Sequence, residues 1–180
     1  MVYVLLGTGF EEIEALTPVD LLRRAGVEVM TVGVNGKTVY GSHHIGVEAD
    51  IELGQIDLTN MDMIVLPGGL GGVASVRASK EAMDALRFAW DNEKYVAAIC
   101  AGPTVLADLG ITDGKNATCY PGCEGGMGSA KMAKDKAFVV DGRLITGTSA
   151  GCATKFALAL VAILAGIDMA NKIADQIVIR

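Results

Sequence analysis

Apolar residues recur along this chain in two rhythms. Short unbroken runs, Val2–Leu6, Val27–Val34, Met63–Leu66 and Val96–Ile99, read as buried strands. Between and after them come stretches with helical spacing: Glu11–Arg24 closed by Gly26, Lys80–Trp90, Pro103–Leu109 closed by Gly110, Thr154–Ala165 and Ala170–Val178. Smaller strand-like pieces fall at Lys37–Tyr40 and Ile45–Glu48, and a hairpin is expected from Ala137–Val140 and Leu144–Thr146 around Asp141–Gly142. Strands alternating with helices predict an α/β fold. Right-handed crossovers then give a mostly parallel sheet covered on both faces. No linker or repeat divides the chain, so residues 1–180 read as one domain.

Composition narrows the function classes. The chain is 51% hydrophobic but only 5% aromatic, so the core is aliphatic. A net charge of −6 leaves no basic stripe for a nucleic acid. The longest apolar run, Phe156–Ile167, has twelve residues, against about 20 for a bilayer span, so no membrane partner is expected. The N-terminus lacks the basic start of a signal peptide. Four cysteines, Cys100, Cys119, Cys123 and Cys152, are too few for a secreted disulfide framework, and a cytoplasmic location with reduced thiols is the expectation.

Sites in open α/β sheets lie beyond the carboxyl ends of strands. Three such ends hold unusual residues: Gly7–Glu14, Pro67–Gly72 and Cys100–Pro103. In Ala98-Ile-Cys-Ala-Gly102 a nucleophile is flanked two residues away by small residues, the form of a strand-to-helix elbow. A buried cysteine is more often a small hydrophobe, but elbow spacing after an apolar strand favours a reactive thiol. Its place at a helix start predicts Cys100 as the most acidic of the four thiols. Peroxide is then expected to carry it to sulfinic acid, since neither Cys119 nor Cys123 sits at a recognised resolving position. The glycines of Leu66–Gly72 satisfy turn dihedrals on the plain reading. On the functional one, the N–H groups of Gly69 and Ala101 face a point beside the thiol.

Other motifs fall away. Gly7-Thr-Gly-Phe lacks the third glycine of a dinucleotide loop, and Glu11 and Glu12 occupy the place of a pyrophosphate. Those two carboxylates need only complement a helix dipole. Pro18 opposes the Glu14 carbonyl, so the helix is expected to bend there unless Thr17 caps a new one, leaving Glu14 beside the break. His43 and His44 read as a solvated pair with no acid at metal-ligand spacing. Cys119 and Cys123 have no second ligand pair, and packing is the favoured reading. No metal site is expected.

Glu14, Leu66-Pro-Gly-Gly69 and Ala97–Pro103, with the "TCYPG" and "FALALVAILAG" segments, resemble the ThiJ/PfpI superfamily, on the branch of the Parkinson-linked protein deglycase and its bacterial ThiJ relatives. The resemblance runs from Val2 to about Val178. It implies a flavodoxin-like three-layer sandwich related to class I glutamine amidotransferases, and a homodimer. It also implies a Cys100 nucleophile bonded to a protonated Glu14, with backbone donors at Gly69 and Ala101. Arg24 matches an arginine near the dimer interface, His43 a position where relatives carry a basic residue, and Tyr120 one where some carry histidine. The protease-like branch has histidine after the nucleophile; here it is Ala101, which counts against a peptidase. The family's "TSRGPGT" segment reads "TGTSAGC" at Thr146–Cys152. The activity implied is cofactor-free conversion of reactive dicarbonyls or repair of early glycation adducts, with small aldehydes, glycated amino acids or glycated proteins as substrates. Redox sensing or a chaperone-like protective role is the alternative.

Overall fold

Side chains of the first strand alternate between two separate cores. Val2, Val4 and Leu6 enter one and Tyr3 and Leu5 the other, as a period of two requires of a strand buried on both faces. Residues 1–179 are described by this computed structural model. In chain order the first half holds β1 (Val2–Leu6), α1 (Glu12–Arg24), β2 (Val29–Gly33), β3 (Thr38–Tyr40), β4 (Gly46–Glu48), β5 (Ile51–Glu52), β6 (Met63–Leu66), α2 (Leu70–Ala78) and α3 (Lys80–Asp91). The second half holds β7 (Tyr95–Ile99), α4 (Pro103–Asp108), β8 (Asn116–Ala117), β9 (Lys131–Met132), β10 (Phe138–Asp141), β11 (Leu144–Gly147), α5 (Ala153–Ala165) and α6 (Ile167–Gln176).

The main sheet has the order β10-β11-β7-β6-β1-β2-β5. Every pairing in it is parallel except β10 with β11, whose two-residue connection brings Gly142 to φ +63°. That hairpin is therefore the edge of the main sheet, and β3–β4 is a separate small antiparallel hairpin. On one face Val19 and Leu22 of α1, Phe156 and Leu160 of α5 and Ile173 of α6 close over the sheet. On the other, Val76 of α2, Leu86 of α3 and Val105 and Leu106 of α4 do the same. The architecture is the expected three-layer α/β sandwich.

Several elements differ from the sequence expectation. Helix α2 falls where glycines argued for a bare turn. It forms because it packs directly on the Gly7–Phe10 loop: a Cβ on Gly72 would lie 2.7 Å from the Phe10 Cα. Glycine costs helix propensity, and here close packing outweighs it. The second strand starts at Val29, since the chain first wraps the end of α1, with Gly26 at φ +76° and Val27 N–H donating to the Leu22 carbonyl. Helix α1 runs unbroken through Pro18, so no new helix begins at Thr17.

Candidate active site

Beyond the carboxyl ends of β1, β6 and β7 lies a cavity of about 930 Å³. Cys100 sits in its floor at φ +65°, a left-handed conformation rare for a residue with a Cβ. Its main chain is fixed on both sides: Cys100 N–H donates to the Gly147 carbonyl at 2.9 Å, and its own carbonyl accepts from Tyr120 N–H at 2.8 Å. A Cβ on Gly102 would stand 2.7 Å from the Leu66 carbonyl oxygen. The small neighbour read from sequence is thus a steric requirement of the elbow.

Glu14, in the first turn of α1, is fully buried against Cys100. Its Oε2 accepts from Gly68 N–H at 2.9 Å, the Cys100 side chain lies beside the carboxyl, and Oε1 makes no hydrogen bond. Burial pushes the Glu14 carboxyl up to about 7, against the pull of Cys100 and Gly68, and the charge of Glu11 adds to it. Burial also pushes the Cys100 thiol up, to about 12, reinforced by the charge and hydrogen bond of Glu14. The N–H groups of Ala101 and Gly69 face the sulfur and pull the other way.

The expectation that Cys100 is the most acidic thiol is therefore corrected. Facing an ionised Glu14 it lies above Cys119, which burial raises to about 11. The helix behind it, α4, has only six residues to lend a dipole. What the geometry provides is a coupled pair, in which either negative charge raises the other group's pKa and one proton is shared near neutrality.

Gly69, Ala101, Tyr120 and His43 line the cavity with Cys100 and Glu14. Gly69 adopts φ +87°, and a Cβ there would meet the Gly9 carbonyl oxygen at 2.4 Å. Ser149, Ala150 and Gly151, from the segment that departs from the family pattern, form part of the wall. Arg24 does not join them. It lies ten residues past Glu14 on α1, about 15 Å along the axis at 1.5 Å per residue, and its Nε donates to Asp20 at 2.9 Å.

His43 is exposed, as its surroundings in sequence imply, but it is not free of acids. Glu12 accepts from His43 N–H at 2.8 Å, pairs with His43 Nδ1 at 2.9 Å and accepts from Ser42 Oγ at 3.2 Å; Glu11 Oε1 lies 3.7 Å from the same ring nitrogen. Burial alone would raise Glu12, but these bonds outweigh it and hold the carboxyl down at about 2. The Glu12 hydrogen bond, then the Glu11 charge, raises the pKa of His43. Ligand-type atoms of Glu11, Glu12 and His43 lie within 4.8 Å of one another, an arrangement their mutual hydrogen bonds account for. Glu11 and Glu12 thus do more than complement a dipole, a role invisible in sequence because 31 residues separate Glu12 from His43.

An α/β sandwich with a cysteine on a left-handed elbow, set against a buried carboxyl, defines a class of nucleophile-elbow proteins. Within that class, the DJ-1/PfpI family model matches residues 1–163, and the chain belongs to this family. It is 38% identical to Protein dj-1beta of Drosophila melanogaster, over 98% of this chain and 95% of that one. The crystal structure of the Drosophila protein superposes with a TM-score of 0.93, covering 99% of this chain and 97% of that one at 37% identity. The chain is also 33% identical to the Parkinson disease protein 7 homolog of Danio rerio, over 98% and 96% of the two chains. To the deglycase PH1704 of Pyrococcus horikoshii it is 32% identical, over 81% of this chain and 87% of that one. No helix among the described residues is long and apolar enough to cross a membrane.

Proposed function

We propose that this DJ-1/PfpI protein is a cysteine-dependent enzyme acting on reactive dicarbonyls or their early adducts with amino groups. One observation carries the reading: the buried Glu14 carboxyl sits beside Cys100 in the lining of the cavity, and its Oε1 makes no hydrogen bond to the protein. A carboxyl at this place in the lining, with one oxygen not committed to a hydrogen bond, can pass a proton to a substrate bound at Cys100.

With a 2-oxoaldehyde, the Cys100 sulfur bonds to the aldehyde carbon, whose oxygen takes the shared proton to give a hemithioacetal. The Gly69 and Ala101 N–H groups hold that oxygen as charge develops. Glu14 then accepts the proton on the former aldehyde carbon, leaving an enediolate, and returns it to the neighbouring carbon as the hydroxyl proton passes from the first oxygen to the second. The product of this shift is a thioester. Water attacks its carbonyl, the C–S bond breaks, and a 2-hydroxy acid leaves with the thiol restored. The name of the Pyrococcus relative supports extension to glycation adducts. Exposed Ile13 and Leu16 on one face of α1 support a homodimer built through that helix.

The test is a panel of glyoxals, glycated amino acids and glycated peptides, run with native protein and a folded Cys100→Ser variant. Turnover in the native protein and its loss in the variant is the expected result. Equal turnover in both removes Cys100 from the chemistry. No turnover on any member leaves redox sensing at Cys100 as the reading to pursue.

A further inference from the structure

Three thiols besides Cys100 are free, and they are not equivalent. Cys119 is buried, its sulfur turned onto the Tyr120 carbonyl at 3.5 Å and packed with Ala117 and Met127. Cys152 lies beside Ser149, outside the cavity lining. Cys123 lines the same cavity as Cys100.

The backbone explains how it gets there. Tyr120 N–H is held by the Cys100 carbonyl at 2.8 Å, and Cys123 N–H returns to the Tyr120 carbonyl at 2.9 Å. Between them stand Pro121 and Gly122, the latter at φ +97°, the residues a type II turn requires at its two centres. The turn follows the residue anchored to the Cys100 carbonyl and sets Cys123 in the cavity lining. Tyr120, Pro121 and Gly122 are exposed, and a Cβ on Gly122 would meet nothing within 4 Å, so no side-chain packing fixes the turn and hydrogen bonds such as Gly122 N–H to Glu124 hold it. A disulfide needs Cα atoms within about 7 Å, and a link here requires the two thiols to come within that reach across their common cavity.

We infer that Cys123 is the resolving thiol of Cys100, the two forming a reversible disulfide when a hydroperoxide enters the cavity. The inference rests on the reading of Cys100 as the reactive nucleophile. In the first step the Cys100 sulfur bonds to the terminal peroxide oxygen as the O–O bond breaks. The departing alkoxide or hydroxide takes the proton held with Glu14, and Cys100 is left as a sulfenic acid. In the second, Cys123 gives up its proton and attacks the Cys100 sulfur. The S–S bond forms, the S–O bond breaks, and water leaves. The balance is two thiols and one hydroperoxide to one disulfide, one water and one alcohol or water. A dithiol reductant reverses it by exchange. The sequence alone favours sulfinic acid at Cys100; a thiol seated in the same cavity diverts the sulfenic acid first.

The experiment treats the full chain with one equivalent of hydrogen peroxide, blocks remaining thiols by alkylation and maps unreduced peptides. The expected product joins the Cys100 and Cys123 peptides, two hydrogens lighter than their sum, within a single chain, and is released by dithiothreitol. Cys123→Ser should accumulate several-fold more Cys100 bearing two added oxygens, whereas Cys119→Ser should still form the link. Should Cys123→Ser fold poorly, mapping of the native protein decides alone. Equal sulfinic acid in native and Cys123→Ser protein, or a link from Cys100 to Cys119, Cys152 or another chain, overturns the inference. A Cys100 inert to both peroxide and iodoacetamide overturns it together with the reading of Cys100 as a nucleophile. A Cys100–Cys123 link in a protein without dicarbonyl turnover supports the inference and sinks the proposed enzymatic function alone.

Discussion

Glu14 reaches Cys100 from the first turn of α1, its carboxyl fully buried and pushed up to about 7 while the thiol is pushed to about 12. Between those values the pair holds a single proton, and below them it holds two. The doubly protonated pair carries no thiolate, and the singly protonated pair carries one when its proton sits on Glu14. The rate constant kcat/KM should therefore rise with pH through a midpoint near 7 and level off above it. A flat profile from pH 5 to 9 would detach catalysis from the pair.

Glu14→Gln should lower turnover by about 10²–10⁴-fold, because an amide cannot shuttle the proton. The rising limb near pH 7 should disappear with it. Near-native activity would remove Glu14 from the chemistry.

The same substitution should change stability in the opposite sense. The folded pKa of Glu14 lies above its ordinary value of 4.5. Its contribution is therefore fully present below pH 4.5 and is lost as pH rises through 7. At pH 8 the native protein carries a buried charge costing on the order of 2–3 kcal/mol. Glu14→Gln should recover much of this at pH 8 and little at pH 4, as read from urea midpoints at both.

Gly69→Ala should cost about 2–3 kcal/mol. The new Cβ would strike only backbone, 2.4 Å from Gly9 O and 2.6 Å from Glu11 N, at a φ of +87°. Gly151→Ala, on the same cavity's wall but with only Ser149 Oγ near, at 3.9 Å, should stay within about 0.5 kcal/mol. Thermal melts of both variants make the comparison, and equal melting points would refute it.

Glu12→Gln should loosen the Gly41–Ile45 loop at the cavity mouth. It weakens bonds to His43 N–H, His43 Nδ1 and Ser42 Oγ, at a cost of about 1–3 kcal/mol. Glu12 is held down at about 2, so its contribution is present above pH 4.5 and is lost as pH falls towards 2. Hydrogen exchange of the His43 amide reads the loss directly. An unchanged exchange rate would show that backbone bonds alone hold the loop.

Ile13 is 55% exposed and Leu16 36%, three residues apart on α1. Ile13→Glu should convert a dimer to a monomer in sedimentation equilibrium at micromolar concentration. A native protein already monomeric there would end the homodimer proposal.

Much of this architecture was legible in sequence because its signals are local. The unbroken apolar runs Val2–Leu6 and Val96–Ile99 declare strands buried on both faces. Ala98 and Gly102 declare the elbow because crowding at a left-handed residue acts on its immediate neighbours. Helix α2 was not legible, since its glycines answer to a loop more than 60 residues away in the chain, at Gly9 and Phe10. The grip of Glu12 on His43 and the place of Cys123 in the lining of the Cys100 cavity were hidden for the same reason. Periodicity and turn chemistry are set by residues a few positions apart, and the sequence by itself determined the strands, most helices and the elbow. Which distant side chains meet depends on strand order and crossover, and so the tertiary structure alone decided the full burial of Glu14 beside Cys100, the clamped histidine and the second thiol in the cavity.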